Sequence, residues 1–268
     1  MTTTVTPTQK LTGHVPFRAS VSQAMQMAKR GIIKASRTPE QFFDVTLQPI
    51  LFTVMFTYIF GGAIAGDPLS YLNFFVPGIL VQTIITTTVV TGVQLREDMD
   101  KGVFDRFKSL PISRMAPLTG ALVADTVRYA LGTTITFLTA LVMGWRPAGG
   151  PGAVVVAGLL MVLAAWCLSW VFAFFGLTAR SATAVQGISL IVLFPLTFLS
   201  SAYVPTNTMP DWLQTFVQLN PLTHLINGFR SLLDGHGMTG DIWGAFLGAL
   251  VVVVIFAPLT LMQYKRRA

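Results

Sequence analysis

Six long apolar stretches, separated by short polar breaks, set the pattern of the chain. They cover residues 45–66, 71–94, 117–143, 153–178, 182–203 and 242–262. Each exceeds the roughly 20 residues that an α-helix needs to cross a hydrocarbon core of about 30 Å. The pattern therefore predicts an all-α polytopic membrane protein with six transmembrane helices. Pro49 falls near the start of the first stretch, where helical amides lack partners anyway. Pro77 and Gly78 sit in the first third of the second, predicting a kink or a late helix start. Pro195 interrupts the fifth.

Ahead of these stretches, residues 1–17 are polar and Thr-rich and hold no apolar run of the signal-peptide kind. Residues 17–43 are amphipathic. Val21, Ala24, Met25, Ala28 and Ile32 share one side of a helix, and Lys29, Arg30, Lys34 and Arg37 supply positive charge. Such a helix suits a membrane interface, its bases toward anionic headgroups; a helix packed on the protein is the alternative. Residues 1–44 thus form an N-terminal region and 45–268 a membrane domain.

The strongest interruption is residues 96–111, REDMDKGVFDRFKSLP, with four acids and four bases. Written as one helix, Met99, Val103, Phe107 and Leu110 share a face. Glu97 precedes Lys101 by four residues, the favourable order for a helical ion pair. A solvated loop helix accounts for this pattern, and so does a helix along the membrane face that offers an apolar ridge and paired charges to a soluble partner.

Composition narrows the class. Hydrophobic residues make up 53% and charged residues 11%, against about 25% charge in soluble domains. Cys167 is the single cysteine, so no internal disulfide or cysteine metal site exists, and His14, His224 and His236 are not spaced as ligands. The chain lacks a GxxxxGK[ST] phosphate loop, an HExxH pair and a serine elbow. An intramembrane enzyme would need a nucleophile–base constellation that is absent.

The net charge of +7 tracks topology rather than nucleic acid. Fifteen of eighteen Lys and Arg residues fall in the N-terminal region, residues 96–117, Arg180 and the C-terminus; Arg146 and Arg230 fall on the opposite side and Arg128 inside the third stretch. The positive-inside rule then predicts both termini in the cytoplasm, with 96–111 on that side and 204–240 outside. Asp125 and Arg128, three apart, are neighbours on one helix face. Near the beginning of the third span, close to the charged segment, they suit a snorkelling interfacial anchor, or else a role in conformational coupling.

Two stretches supply candidate path residues. Thr86, Thr87, Thr88 and Thr91 place hydroxyls on the second span, either bonded to their own helix's carbonyls or lining a polar path. Phe194, Phe198 and Tyr203 place aromatic surface on the fifth. The near absence of charge there suits an amphipathic cargo better than an ion. For any one of these residues ordinary helix packing is the simpler account. Between the fifth and sixth spans, Trp212, Leu213, Phe216, Val217 and Leu219 read as a short amphipathic helix that Asn220-Pro221 ends, with a second short helix over 223–233.

Taken in this order the residues resemble the ABC-2 type permeases, close to the daunorubicin-resistance group of bacterial drug and lipid exporters. The resemblance rests on the amphipathic start and six spans. It rests also on Arg96-Glu97, Gly102 and Leu110-Pro111 between spans two and three, and on Pro210-x-Trp212-Leu213 with Asn220-Pro221 before the last span. It implies a cytoplasmic coupling helix within 96–111 that docks on a separate ATPase, and an external re-entrant hairpin at 204–240 marked by Pro205, Pro210, Trp212, Asn220 and Pro221. Arg96, Glu97, Met99, Gly102, Val103, Phe107, Leu110 and Pro111 become the coupling candidates. The resemblance further implies two copies of the ATPase carrying ATP and Mg, no cofactor on this chain, a second copy of the permease, and contact with membrane lipids and an amphipathic substrate. The expected place is the bacterial cytoplasmic membrane. Export of lipid-linked glycans and a non-transporting anchor for an ATPase are the competing readings.

Overall fold

The computed structural model describes residues 17–37, 39–108 and 115–267. All regular elements among them are helical. Helix α1 spans Phe17–Ser36, α2 Pro39–Ala65, α3 Pro68–Asp100, α4 Val103–Lys108, α5 Ala116–Val142 and α6 Gly150–Thr178. Then come α7 (Ala182–Phe198), α8 (Asp211–Leu219), α9 (Pro221–Leu233) and α10 (Gly240–Arg267).

Helix α3 is the axis of the fold. Asp67 caps it, its carboxylate accepting from the Leu69 and Ser70 amides, and Pro68 takes the first turn. Hydrogen bonding from the Ser70 side chain, and then from the Ser70 and Leu69 amides, holds the exposed Asp67 carboxyl below its ordinary pKa. The helix has 33 residues, about 50 Å at 1.5 Å per residue. It is packed by α2, α5, α6, α7 and α9, burying Tyr71, Phe75, Ile79, Leu80 and Ile84. The late start expected at Pro77 does not occur. The Pro68 start and the Asp67 cap nucleate the helix nine residues earlier, and tertiary packing carries it through the proline.

Small residues bring its neighbours in. A side chain at Gly92 would overlap the Phe172 carbonyl, and one at Gly176 the Gly92 carbonyl, so α3 and α6 meet backbone to backbone. Gly78 meets the Ala202 backbone in the same way. Backbone approach through small residues is how helices gain packing energy where the hydrophobic effect is absent.

Helix α1 divides the apolar stripe read from the sequence. Ala24, Met27 and Gly31 lie against α5 at Gly120 and Ala124, and Ala28 is fully buried. Val21, Met25 and Ile32 remain exposed, as do Lys29 and Arg30. The helix is both packed on the protein and amphipathic outward.

Among the described residues, four helices are long and apolar enough to cross a membrane: Val45–Ala65, Pro68–Asp100, Gly150–Thr178 and Gly240–Arg266. Helix α7 is shorter than the predicted 182–203, ending at Phe198. There the Asn220 amide binds the Leu196 and Leu199 carbonyls, closing the helix with side-chain donors. Helix α5 has 27 residues, but Asp125, Arg128 and its threonines reduce its apolarity.

Candidate functional site

The C-terminal end of α3 carries the first group of candidates. Arg96 pairs with Asp100 and donates to the Ala179 carbonyl at 2.8 Å, linking α3 to the turn between α6 and α7. Glu97 and Lys101 pair at 3.0 Å, and the Glu97 carboxylate raises the Lys101 pKa. This exposed pair contributes about 0.3–0.5 kcal/mol.

The single helix expected over 96–111 is not formed. Gly102 takes φ +66°, its amide bonded to the Met99 carbonyl, and ends α3; α4 restarts at Val103. This left-handed turn is glycine's geometry. The predicted Met99–Val103 continuity across one helix face is therefore broken. Met99 packs with Phe104 on a cluster of Leu95, Leu118, Leu122, Trp170 and Leu177, and Phe104 meets Tyr264 edge-on at 5.5 Å. Val103 is half-buried. The Phe107 side chain, Leu110 and Pro111 lie outside the described residues.

Asp125 and Arg128 form an ion pair, but not a snorkelling one. They are 4% and 9% exposed, and Arg128 Nη2 also donates to Gln94 Oε1 of α3 at 2.8 Å. One turn deeper, the Thr91 and Tyr129 hydroxyls share a 2.8 Å hydrogen bond. A pair of charges removed from water is tolerated only with such partners.

The threonines are largely committed. Thr86, Thr87 and Thr88 donate to carbonyls of their own helix, and Thr91 meets Tyr129. Thr86 and Thr87 also line a narrow crevice against Gln48 and Phe52 of α2. The aromatic candidates do come together. Phe194 and Phe198 are 4.4 Å apart, Phe198 and Tyr203 5.1 Å, and Tyr203 continues to Phe56 and Phe75.

At the other end of α3 the chain between α7 and α10 folds back. Pro205 precedes a 3₁₀ turn, Pro210 precedes α8, and Pro221 opens α9. Asn220 is the joint: its amide binds the end of α7 while its carbonyl oxygen caps α9 at Leu222. Trp212 is 71% exposed.

Arg230, read from the sequence only as a base on the outer side, fastens the hairpin to α3. Its guanidinium donates to Asn227 Oδ1 (2.8 Å) and to the carbonyls of Ser201 (3.0 Å) and Phe74 (3.2 Å), and covers the Phe74 ring at 4.1 Å. Burial lowers its pKa to about 10, so it keeps its charge at neutral pH. The signal was present: Arg230 is the only Lys or Arg between Arg180 and Lys265.

Long apolar helices around one central rod, with a charged helical break at one rod end and a folded-back hairpin at the other, are the build of a helical membrane protein. The chain belongs to the ABC-2 type transporter family, whose model matches residues 22–233. It is similar to a daunorubicin resistance ABC transporter permease protein, DrrB1, of Streptomyces coeruleorubidus: 38% identity over 256 residues, covering 95% of this chain and 90% of the relative. It also resembles a probable doxorubicin resistance ABC transporter permease protein, DrrC, of Mycobacterium tuberculosis, 25% identical over 93% of this chain and 90% of the relative. A putative transport permease, ycf38, of Porphyra purpurea is 26% identical over 88% and 84%.

Proposed function

We propose that the chain is the permease subunit of an ATP-driven exporter that moves amphipathic drugs or lipid-like molecules out across a bacterial cytoplasmic membrane. The observation that carries this reading is near full-length similarity to a permease named for daunorubicin resistance. In this proposal α2, α3, α5, α6, α7 and α10 are six spans, both termini are cytoplasmic, and two copies of the chain work with two copies of a separate ATPase that binds ATP and Mg.

The coupling route runs through α3. ATP binding would draw the ATPases together and displace residues 96–111. Because α3 continues unbroken from Arg96 to the hairpin at Arg230, displacement of one end would move the other as a rigid body. Arg96 would carry the same displacement to α7 through the Ala179 carbonyl. The aromatic series Phe194, Phe198 and Tyr203 would offer cargo an uncharged surface.

Purification of the complex from native membranes tests the assignment. A stoichiometric P-loop ATPase and ATP-dependent doxorubicin uptake into inverted vesicles are expected. A chain that purifies without an ATPase and moves no cargo would overturn the exporter reading. Arg96→Gln and Glu97→Gln are expected to leave the fold intact and to cut uptake per ATP hydrolysed about tenfold, measured as the ratio of the two rates. Wild-type ratios in both variants would remove these residues from the coupling route.

A further inference from the structure

Helix α8 is tied down along one side and open along another. Its Leu213 and Gln214 amides bond to the Pro210 carbonyl, and the Gln214 side chain donates to the Met209 carbonyl at 2.8 Å. Its far end is fixed by Asn220, which grips the end of α7. The helix packs on α9, with Val217 fully buried and Leu213 half-buried. Trp212, Phe216 and Leu219, at steps of four and three, share a second face. They are 71%, 64% and 77% exposed. Asp211, Thr215 and Gln218 are exposed too, and their spacing gives α8 a polar edge beside that face.

A row of large apolar side chains rimmed by polar ones marks a surface that something covers. A second copy of the chain fits it poorly. Trp212 and Phe216 bury about 150–250 Å² each at most, so with Leu219 the row stays below the roughly 800 Å² per partner of a standard interface. An anionic headgroup or acidic peptide finds no base, since no Lys or Arg stands between Arg180 and Arg230. The apolar region of a membrane fits on three counts. The row needs no charge to be covered. It continues the apolar surface of α7, where Ile191, Phe194 and Phe198 are exposed and whose end Asn220 joins to α8. Trp243, in the first turn of α10, is exposed as well, and tryptophans at helix ends mark the level of lipid headgroups.

We propose that α8 is an interfacial helix whose partner is the outer leaflet. Trp212, Phe216 and Leu219 enter the boundary between headgroups and acyl chains, while Asp211, Thr215 and Gln218 stay in water. The inference rests on the six-span arrangement, which puts this end of α7 outside, and goes beyond it by giving the hairpin a lipid partner. The contact is made by apolar insertion alone, so it does not depend on headgroup charge.

The test uses the full-length protein in phosphatidylcholine vesicles, spin-labelled at one cysteine at a time in a Cys167→Ala background. Labels at Phe216→Cys and Leu219→Cys are expected to collide with oxygen in preference to a water-soluble nickel chelate, at a depth of about 5–10 Å. Labels at Thr215→Cys and Gln218→Cys are expected to show the opposite preference. Adding phosphatidylglycerol should change none of the four. A label at Val254→Cys, exposed midway along α10, reports on the spans themselves and is expected to favour oxygen. Nickel preference at 216 and 219 with oxygen preference at 254 overturns the inference and leaves the six spans standing. Nickel preference at all three overturns both. Shielding from both reagents at 216, with spin–spin broadening relieved by unlabelled chain, assigns the face to a second copy. Insertion that needs phosphatidylglycerol assigns it to headgroup charge. Either result overturns the proposal. Elution volume and thermal midpoint report the fold of each variant. Trp212 gives a reading that needs no label. Brominated lipid is expected to quench the emission that wild type shows over Trp212→Phe, and an unquenched difference overturns the insertion.

Discussion

Arg230→Ala is expected to lower the thermal midpoint of the purified protein by about 8 °C, the largest effect of any single side-chain truncation outside the apolar core. The truncation strips donors from the Phe74 and Ser201 carbonyls and one of two from Asn227 Oδ1, which keeps the Ser201 hydroxyl. Each buried acceptor left alone costs about 1–3 kcal/mol, and water reaching part of the site limits the sum to about 3 kcal/mol. For a chain of this size 1 kcal/mol corresponds to about 2–4 °C. Arg230→Lys is expected to recover less than half, because an ammonium cannot span acceptors on three segments or lie flat over the Phe74 ring. Unfolding followed in detergent checks both variants. A midpoint within about 2 °C of wild type for Arg230→Ala would mean that the hairpin is held by its apolar contacts and not by this guanidinium.

Gly92→Ala is the second. The added methyl would occupy the position of the Phe172 carbonyl, so α3 and α6 must separate. Close-packed helices absorb such an insertion at about 1–3 kcal/mol or more. Here the atom in the way is backbone, so the upper end applies. Separation would also disturb Trp170 and Leu177, which pack with Leu95 and Met99 at the α4 end of α3. The expected result is a several-fold fall in monodisperse yield, together with loss of ATP-dependent uptake in whatever folds. Gly62→Ala is the control. Gly62 lies within α2 with open space around it, and alanine there should stabilise by up to about 1 kcal/mol through helix propensity. Equal behaviour of the two variants would contradict the backbone contact at Gly92.

The long apolar runs and the amphipathic periodicity of 17–43 and 211–219 are local patterns, and helices stand at those places. Asn220-Pro221 marked a boundary for a local reason too, the fixed proline φ after an amide-capping side chain. Gly102 was visible as a residue but not as the end of α3, because a helix period continues on paper through a glycine that the backbone turns left-handed. Of the partners of Arg128, Asp125 could be read at a spacing of three, but Gln94 could not: it lies 34 positions away, and its meeting with Arg128 depends on the α3–α5 packing. The same holds for Gly92 with Gly176, and for Arg230 with Phe74.

The shortness of α7 has a bearing on the bilayer itself. Its 17 residues span about 26 Å, less than a hydrocarbon core of about 30 Å. In the six-span arrangement proposed above, lipid beside the exposed Leu190, Ile191 and Phe194 must thin to meet it, at a cost of fractions of a kcal/mol per Å. Acyl-chain length then becomes a control on the protein. Short-chain lipids would relieve this hydrophobic mismatch and long-chain lipids would increase it, setting the deformation of the membrane next to the aromatic surface of α7.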